Sequence, residues 1–469
     1  MFKEDKYLWY AVTTTLVVRL LFVLAVLLFP VNLDYHASDS REYIALTEEL
    51  LASGRFFRTG VPVGVPGIDV PEIVRSPGYP LFLIPGVLLN NVQAVTGLIQ
   101  IILCGLTALL VYRVALNIFL RREIALAASL LVALDPMSIF FSIHVLTETL
   151  STFLIAAFVY CVLGYRGNNV FRSLFLAAVV LAASIFVRPI SYYLPPLLFL
   201  IFVIIRYEEI ARKKLIFLYA AVFLVVSMGP ALLWELRNKT VAGYAGFSAV
   251  QDVNLYFFNA AGLSALQKKR PYMDLQMEMG LLDLEKYFNY HPEQRTWDAS
   301  QRFHYMRQEG LRIIRDDAWA YAILHAKGML RVLLDPGIVK FFKLFKSDSE
   351  QGQYLGTFVD RGIVQTVWFL YKEKPVMFMS YVIFGAVQLL ICFFMMTALF
   401  PRYISYKAPI IVLLSIGFYY LILSGGPGDS PRLRLSILPV QAVLSAYGFF
   451  IWWDKIRTSI PVFVRKINK

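Results

Sequence analysis

Charge is scarce in this chain. Only 16% of its 469 residues are Asp, Glu, Lys or Arg, against about 25% in an ordinary soluble domain. Apolar residues make up 58%, and mean hydropathy is +0.62. A soluble globular enzyme and a disordered chain are both excluded. Cysteine is nearly absent: Cys104, Cys161 and Cys392 each sit inside an apolar run, far apart in sequence. That excludes a disulfide scaffold and reads as three small buried hydrophobes. No Cys/His spacing suggests zinc. No internal repeat is visible, so the repeat signature of many secondary transporters is missing too. An all-α polytopic membrane protein remains.

The charge that is present is basic on balance, at +13. It falls in loops between apolar runs, the pattern of membrane topology, so no nucleic-acid partner is expected. Apolar runs lie at about 7–29, 92–112, 124–136, 142–164, 173–187, 190–205, 214–234, 376–400, 408–424 and 434–453. These are ten candidate spans, several short for a crossing of about 20 residues. The Pro-rich run at 79–89 is shorter still and reads as re-entrant or interfacial. With the N-terminus inside, the inside loops hold eighteen Lys and Arg, while the short outside connections hold Arg188, Arg432 and Arg434. This bias predicts both termini on the cytoplasmic side. The segments 30–78 and 235–375 then face outside. The expected organisation has three parts: an N-terminal transmembrane module over 1–235 with a functional first outer loop at 30–78, an outer helical segment over 236–375, and C-terminal membrane helices with a basic tail over 376–469. In the second part, Phe303, Met306, Gly310 and Ile313 share one side at helical spacing, and 318–345 is amphipathic. Both read as helices on the outer membrane face.

Charged residues within or beside apolar runs cost several kcal/mol, roughly 2.5–3.5 each at a span centre. Arg19 sits inside the first run, where packing and function are equally good explanations. Glu148 lies in the 142–164 run as a partner for Arg19 or Arg188, or as a functional carboxylate. Arg188, Arg237, Arg432 and Arg434 gather at the outer boundary. Taken singly, each arginine reads as snorkelling to the interface. Together they suit a lipid-linked phosphate, because a guanidinium grips phosphate oxygens with two parallel donors. In the first outer loop, Tyr43, Leu46 and Leu50 recur at helical spacing. Asp39 or Ser40 is then an N-cap, and Gly54 the stop. Ile73-Val-Arg-Ser-Pro-Gly-Tyr-Pro-Leu81 reads as a rigid turn carrying Arg75.

These features stand in a definite order. Asp39-Ser-x-x-Tyr43 opens the first loop. Arg75-x-Pro-Gly-Tyr-Pro follows, then Leu146-Thr-Glu-Thr-Leu150, Arg188-Pro189, Leu236-Arg-Asn238 and Arg432-Leu-Arg-Leu-Ser-Ile-Leu-Pro439. Over residues 7–453 this order resembles the GT-C glycosyltransferases, and within them the bacterial relatives of protein O-mannosyltransferases and of the lipid A aminoarabinose transferase. The resemblance implies a bundle of about ten or more transmembrane helices with juxtamembrane helices in the first outer loop. It implies a polyprenyl-monophosphate sugar donor, membrane lipids as partners, and an acceptor that is a glycan, a lipid or a protein hydroxyl. The family's acidic first-loop residue falls on Asp39, as general base.

Many relatives carry Asp-Glu where this chain has Asp39-Ser40, so a second carboxylate must come from elsewhere; Glu42, Asp34 and Glu148 are candidates. No tight Asp-x-Asp is present and no cofactor is implied, while a divalent metal stays open. Arg75, Arg188 and Arg434, with Arg432 and Arg237 behind them, are the expected phosphate ligands. Tyr79, Tyr192 and Tyr193 are expected against sugar or acceptor. The expected location is a bacterial cytoplasmic (inner) membrane. The alternatives weighed are a polyprenyl-diphosphate-linked glycan ligase or polymerase, and a lipid-linked sugar transporter.

Overall fold

The structure is a computed structural model that describes residues 5–29, 31, 37–58, 70–164, 170–205, 214–281, 283–345, 362–400, 407–428 and 430–467. Asp34 and Lys346 lie outside them. The described chain is almost wholly helical. Five helices are long and apolar enough to cross a membrane, and four shorter apolar helices accompany them: Gly78–Leu88, Glu148–Leu163, Pro189–Ile201 and Ala408–Leu423. The protein is a multi-pass membrane protein.

The N-terminal elements are α1 (Lys6–Leu28), α2 (Ala37–Ser53), α3 (Gly78–Leu88), α4 (Val92–Phe119), α5 (Arg122–Ala133), α6 (Pro136–Phe141), α7 (Glu148–Val159), α8 (Val170–Val187), α9 (Leu194–Ile205) and α10 (Lys214–Ala242). The main core forms where α1, α4, α5, α7 and α8 meet the Leu438–Ile467 helix. Small residues let backbones approach closely. A Cβ on Gly448 would lie 1.8 Å from Phe394 O, so that helix and Pro375–Thr397 are packed to contact.

Two of the expected spans are broken. The run at 124–136 ends as α5, because Asp135 caps a new helix that begins at Pro136. Asp135 Oδ1 accepts from Ser138 N at 2.8 Å. The run at 142–164 becomes helical only at Glu148. Residues 142–147 are irregular yet buried, and α4 satisfies three of their carbonyls. Gln100 Nε2 donates to Ser142 O at 3.2 Å and His144 O at 2.8 Å, and Gln93 Nε2 to Ile143 O at 2.6 Å. Irregular backbone at membrane depth survives only when protein satisfies it in this way. The consequence is that Glu148 occupies the first turn of α7, deep in protein.

The first loop also differs from its expected form. The helix begins at Ala37, so Asp39 lies in its first turn rather than at the cap. Ser40 Oγ donates to Val145 O at 3.0 Å instead of capping. Gly54 ends the helix with φ +67°, as a C-terminal glycine does. A two-residue antiparallel ladder pairs Phe57 with Pro71 and Arg58 with Val70. The Pro-Gly-Tyr-Pro turn opens α3. Gly78 is required there, since a Cβ would meet Phe186 C and O at 2.5 Å.

The segment after α10 builds a second, smaller core. Tyr244, Tyr256, Phe257, Phe303 and Met306 close it, with Ile73 from the first loop. The Ala299–Asp316 helix starts on a capping box, Asp298 with Gln301. Its apolar face, Phe303, Met306 and Gly310, packs on the 254–260 helical turn. Ile313 is only partly buried. The expectation of a helix lying on the membrane fails for this face, because protein already covers it.

The Ala318–Leu334 helix meets the 424–428 turn through glycines. A Cβ on Gly328 would sit 2.2 Å from Gly426 N, and one on Gly262 would sit 2.4 Å from Pro427 Cγ. Gly426 N donates to His325 O at 3.3 Å, and His325 Nε2 meets Ile422 O at 2.8 Å. Two parts of the chain about a hundred residues apart are thereby interlocked beside Arg432.

Candidate active site

The first two turns of α2 project Asp39 and Glu42 to one side, three residues apart. Opposite them runs the 70–77 turn, held by Glu72. This carboxylate is 2% exposed. Its Oε1 accepts from Val74 N at 2.5 Å and Arg75 N at 2.7 Å, while Oε2 accepts from Arg58 Nε at 2.7 Å. Arg237 braces the same turn by donating to Glu72 O and Phe56 O, both at 2.8 Å. The result is a rigid presentation of Arg75. Its Nη2 donates to Asp39 Oδ1 at 2.7 Å and its Nε to Glu42 Oε2 at 2.8 Å. The guanidinium lies 5.2 Å from the centre of the Tyr43 ring.

A third segment closes the site. Arg432, on the short Ser430–Leu433 turn, donates Nη1 to Asp39 Oδ2 at 2.9 Å and Nε to Glu148 Oε1. Arg188 Nη1, at the end of α8, lies 3.4 Å from the same Glu148 oxygen. Four carboxylates (Asp39, Glu42, Glu72 and Glu148) and four guanidiniums (Arg58, Arg75, Arg188 and Arg432) thus form one chain of ion pairs. It runs inward from Asp39, whose side chain is 25% exposed, to Glu148, at 0%. Glu148 Oε2 is buried without a hydrogen-bond partner among the described residues.

Asp39 carries opposing influences. Burial pushes its carboxyl upward, but Arg432 and Arg75 outweigh burial and hold it well below the usual carboxylate range. In this state the carboxylate is a strong anchor and a weak proton acceptor.

The expected residues therefore separate. Asp39, Glu42, Glu148, Arg75, Arg188 and Arg432 converge. Arg434 does not join them: it is 1% exposed and donates Nη1 to Asp135 Oδ2 at 2.6 Å, inside the bundle. Arg237 is one turn removed, as the brace just described. Tyr79 is fully buried, edge-on to Tyr43 at 5.0 Å between ring centres, with Oη 3.4 Å from Gln100 Oε1. It supports α2 and has no face open for a sugar. Tyr192 donates to Glu235, and Tyr193 Oη lies 3.3 Å from Gln251 Oε1. Arg19 is fully buried and donates to Ala133 O at 2.9 Å and Ser138 Oγ at 2.7 Å, so Glu148 pairs with Arg188 and not with Arg19. Among the described residues, no three His, Cys, Asp or Glu side chains converge as a metal site.

Glu72 and Arg58 were not singled out in the sequence. Their signal was faint: one more acid in an acidic loop, and one arginine across the 59–69 segment.

The fold is that of the GT-C class of membrane glycosyltransferases. The chain superposes on the oligosaccharyltransferase AglB of Archaeoglobus fulgidus, solved with an inhibitory peptide and a dolichol-phosphate. The TM-score is 0.53 at 14% identity, over 98% of this chain and 52% of that one. A second structure of the Archaeoglobus fulgidus enzyme, with Zn and sulfate, gives 0.53 at 15% over 98% and 51%. The chain thus spans about half the length of these proteins. ArnT from Cupriavidus metallidurans, bound to undecaprenyl phosphate, gives 0.38 at 14% over 92% and 76%. Residues 75–234 match the family described as dolichyl-phosphate-mannose-protein mannosyltransferase. No curated protein matches the chain.

Proposed function

We propose that the protein transfers a sugar from a polyprenyl-monophosphate donor to an acceptor hydroxyl, on the outer face of a bacterial cytoplasmic membrane. One observation carries this reading: a carboxylate from the first loop, Asp39, stands between Arg75 and Arg432. The organisation in three parts follows it. Residues 1–235 hold the lipid tail and most of the site, 236–375 cover it on the acceptor side, and 376–469 return Arg432 to it. Both termini face the cytoplasm, by the distribution of Lys and Arg.

The chemistry needs a base for the acceptor and positive charge for the leaving group. The acceptor O–H gives its proton to Asp39 as its oxygen bonds to the anomeric carbon. The bond from that carbon to the phosphate oxygen breaks, and its electron pair stays on the phosphate. The phosphate gains negative charge, which the preorganised Arg75, Arg188 and Arg432 stabilise. A single base with a departing phosphate gives inversion at the anomeric carbon.

The test is consumption of radiolabelled polyprenyl-monophosphate sugars by membranes carrying wild-type or Asp39→Asn chain. Wild-type consumption of one donor with a fall of about a hundredfold or more in the variant is expected, the usual weight of general base catalysis. Equal consumption by both chains would remove Asp39 from its role. Consumption only of diphosphate-linked donors would replace the reading by that of a ligase.

A further inference from the structure

We infer that Glu42 and Glu148 are positioning residues that hold Arg75 and Arg432 by their Nε atoms, leaving the terminal nitrogens to exchange between Asp39 and the donor phosphate, so that donor binding itself releases the base. The inference rests on the transferase reading above and adds an order to it.

The geometry carries the division of labour. In both arginines the Nε goes to one carboxylate and a terminal nitrogen to another. Arg75 gives Nε to Glu42 and Nη2 to Asp39; Arg432 gives Nε to Glu148 and Nη1 to Asp39. The Nε is the nearest donor to the side-chain stem and moves least. The guanidinium is planar and rigid, so an anchored Nε fixes where the terminal nitrogens point. Of the four carboxylates in the chain of ion pairs, Asp39 is the one held solely by terminal nitrogens, from two sides at once. It is also the most exposed member of the pair it forms with either arginine.

The charge balance carries the rest. The four arginines are matched by four carboxylates, so a phosphate that takes Arg75 Nη2 and Arg432 Nη1 must displace the carboxylate they hold. Glu148 is sealed and Glu72 is tied to two backbone amides, so neither yields. Asp39 yields. The groups facing it are Arg75 and Arg432, with Tyr43, Glu42, Glu148 and Arg188 behind them. Once the phosphate takes the place of Asp39 on the terminal nitrogens, Asp39 loses two cationic partners and gains an anionic neighbour. Both changes strengthen it as a base. Without donor the carboxylate is inert, and the acceptor is deprotonated only when there is something to attack.

The test uses the full chain in lipid nanodiscs, treated with a hydrophobic carbodiimide at pH 6, a reagent that modifies protonated carboxyls. Modification at Asp39 is read by peptide mass spectrometry against the exposed Glu285. Undecaprenyl phosphate is the probe and undecaprenol the control, with binding followed by native mass spectrometry. Undecaprenyl phosphate should raise Asp39 modification about tenfold or more, since losing one such partner moves a carboxyl by one to three pKa units. Undecaprenol should leave it unchanged. In Glu148→Gln, with Arg432 unanchored, the response should disappear. Bound undecaprenyl phosphate with no change at Asp39 overturns the inference, as does an equal rise with undecaprenol or a wild-type response in Glu148→Gln. Failure of undecaprenyl phosphate to bind overturns the transferase reading, and the inference with it.

Discussion

Replacing Asp135 by Asn separates the two roles that an arginine can have in this bundle. Asp135 makes two bonds: Oδ1 caps α6 at Ser138 N and Oδ2 receives Arg434 at 2.6 Å. The side chains are 5% and 1% exposed. Asparagine is as good a cap as aspartate, so the substitution removes charge alone. Arg434 already has Nε and Nη2 without partners among the described residues, and it then becomes an unpaired buried cation. Breaking such a pair costs about 3–5 kcal/mol. Asp135→Ala should cost about 1 kcal/mol more, for the cap. Adding Arg434→Met to Asp135→Asn should recover much of the loss, because an apolar side chain of similar volume leaves nothing uncompensated. The assay is the thermal unfolding midpoint in detergent, with donor consumption measured on the same preparations. An Asp135→Asn chain as stable as wild type, yet unable to consume donor, would refute the reasoning and return Arg434 to the site.

Four further outcomes follow from the geometry. Arg432→Gln should move the acid limb of activity to higher pH by about one unit or more, because this arginine depresses the Asp39 carboxyl; a pH–rate profile checks it. Stability follows the same sign. The Asp39 ion pairs contribute fully above the unfolded carboxyl value of about 3.9 and are lost as pH falls below it, which acid-unfolding midpoints of wild type and Asp39→Asn compare. Glu72→Gln should lower turnover about tenfold or more and cost about 1–3 kcal/mol, since it loosens the turn that presents Arg75; kinetics and thermal unfolding read both. Gly78→Ala should force α3 from α8 at a cost of about 1–3 kcal/mol, as its Cβ would meet backbone atoms; a Tyr79 contact preserved at wild-type stability would contradict it.

Much of this was written locally. Long apolar runs became α1, α4, α8 and the Pro375–Thr397 helix because a period of 3.6 with no polar interruption has few alternatives. Gly54 and the Asp298 box set their helix ends through one or two residues. The breaks were less legible. Residues 142–147 look like the start of a span, and distant side chains, Gln93 and Gln100 on α4 with Ser40 on α2, make an irregular buried stretch tolerable there. The site divided in the same way. Glu148, Arg188 and Arg432 could be named from residue type and predicted depth, Arg75 from its place on a rigid turn, and Asp39 through the family resemblance, since by itself it read as a helix cap. That Arg432 and not Arg434 reaches Asp39 depends on the short turn at 430–436, where two residues of separation send one guanidinium to Asp39 and the other into the core. A sequence of alternating Arg-Leu-Arg does not say which.

The glycine interlock between the Ala318–Leu334 helix and the 424–428 turn bears on how such a protein can be recombined. Gly328 and Gly426 touch backbone to backbone, and Arg432 stands six residues beyond that contact. A graft of the 243–345 layer from another protein would therefore arrive with a mismatched partner unless residues 422–434 travelled with it. Two stretches that look like separate inheritable pieces constitute one heritable unit, and the arginine that pairs with Asp39 belongs to it. Swaps that respect that boundary should fold with Arg432 in register, while swaps that cut across it should misplace a charge that neither parent had altered.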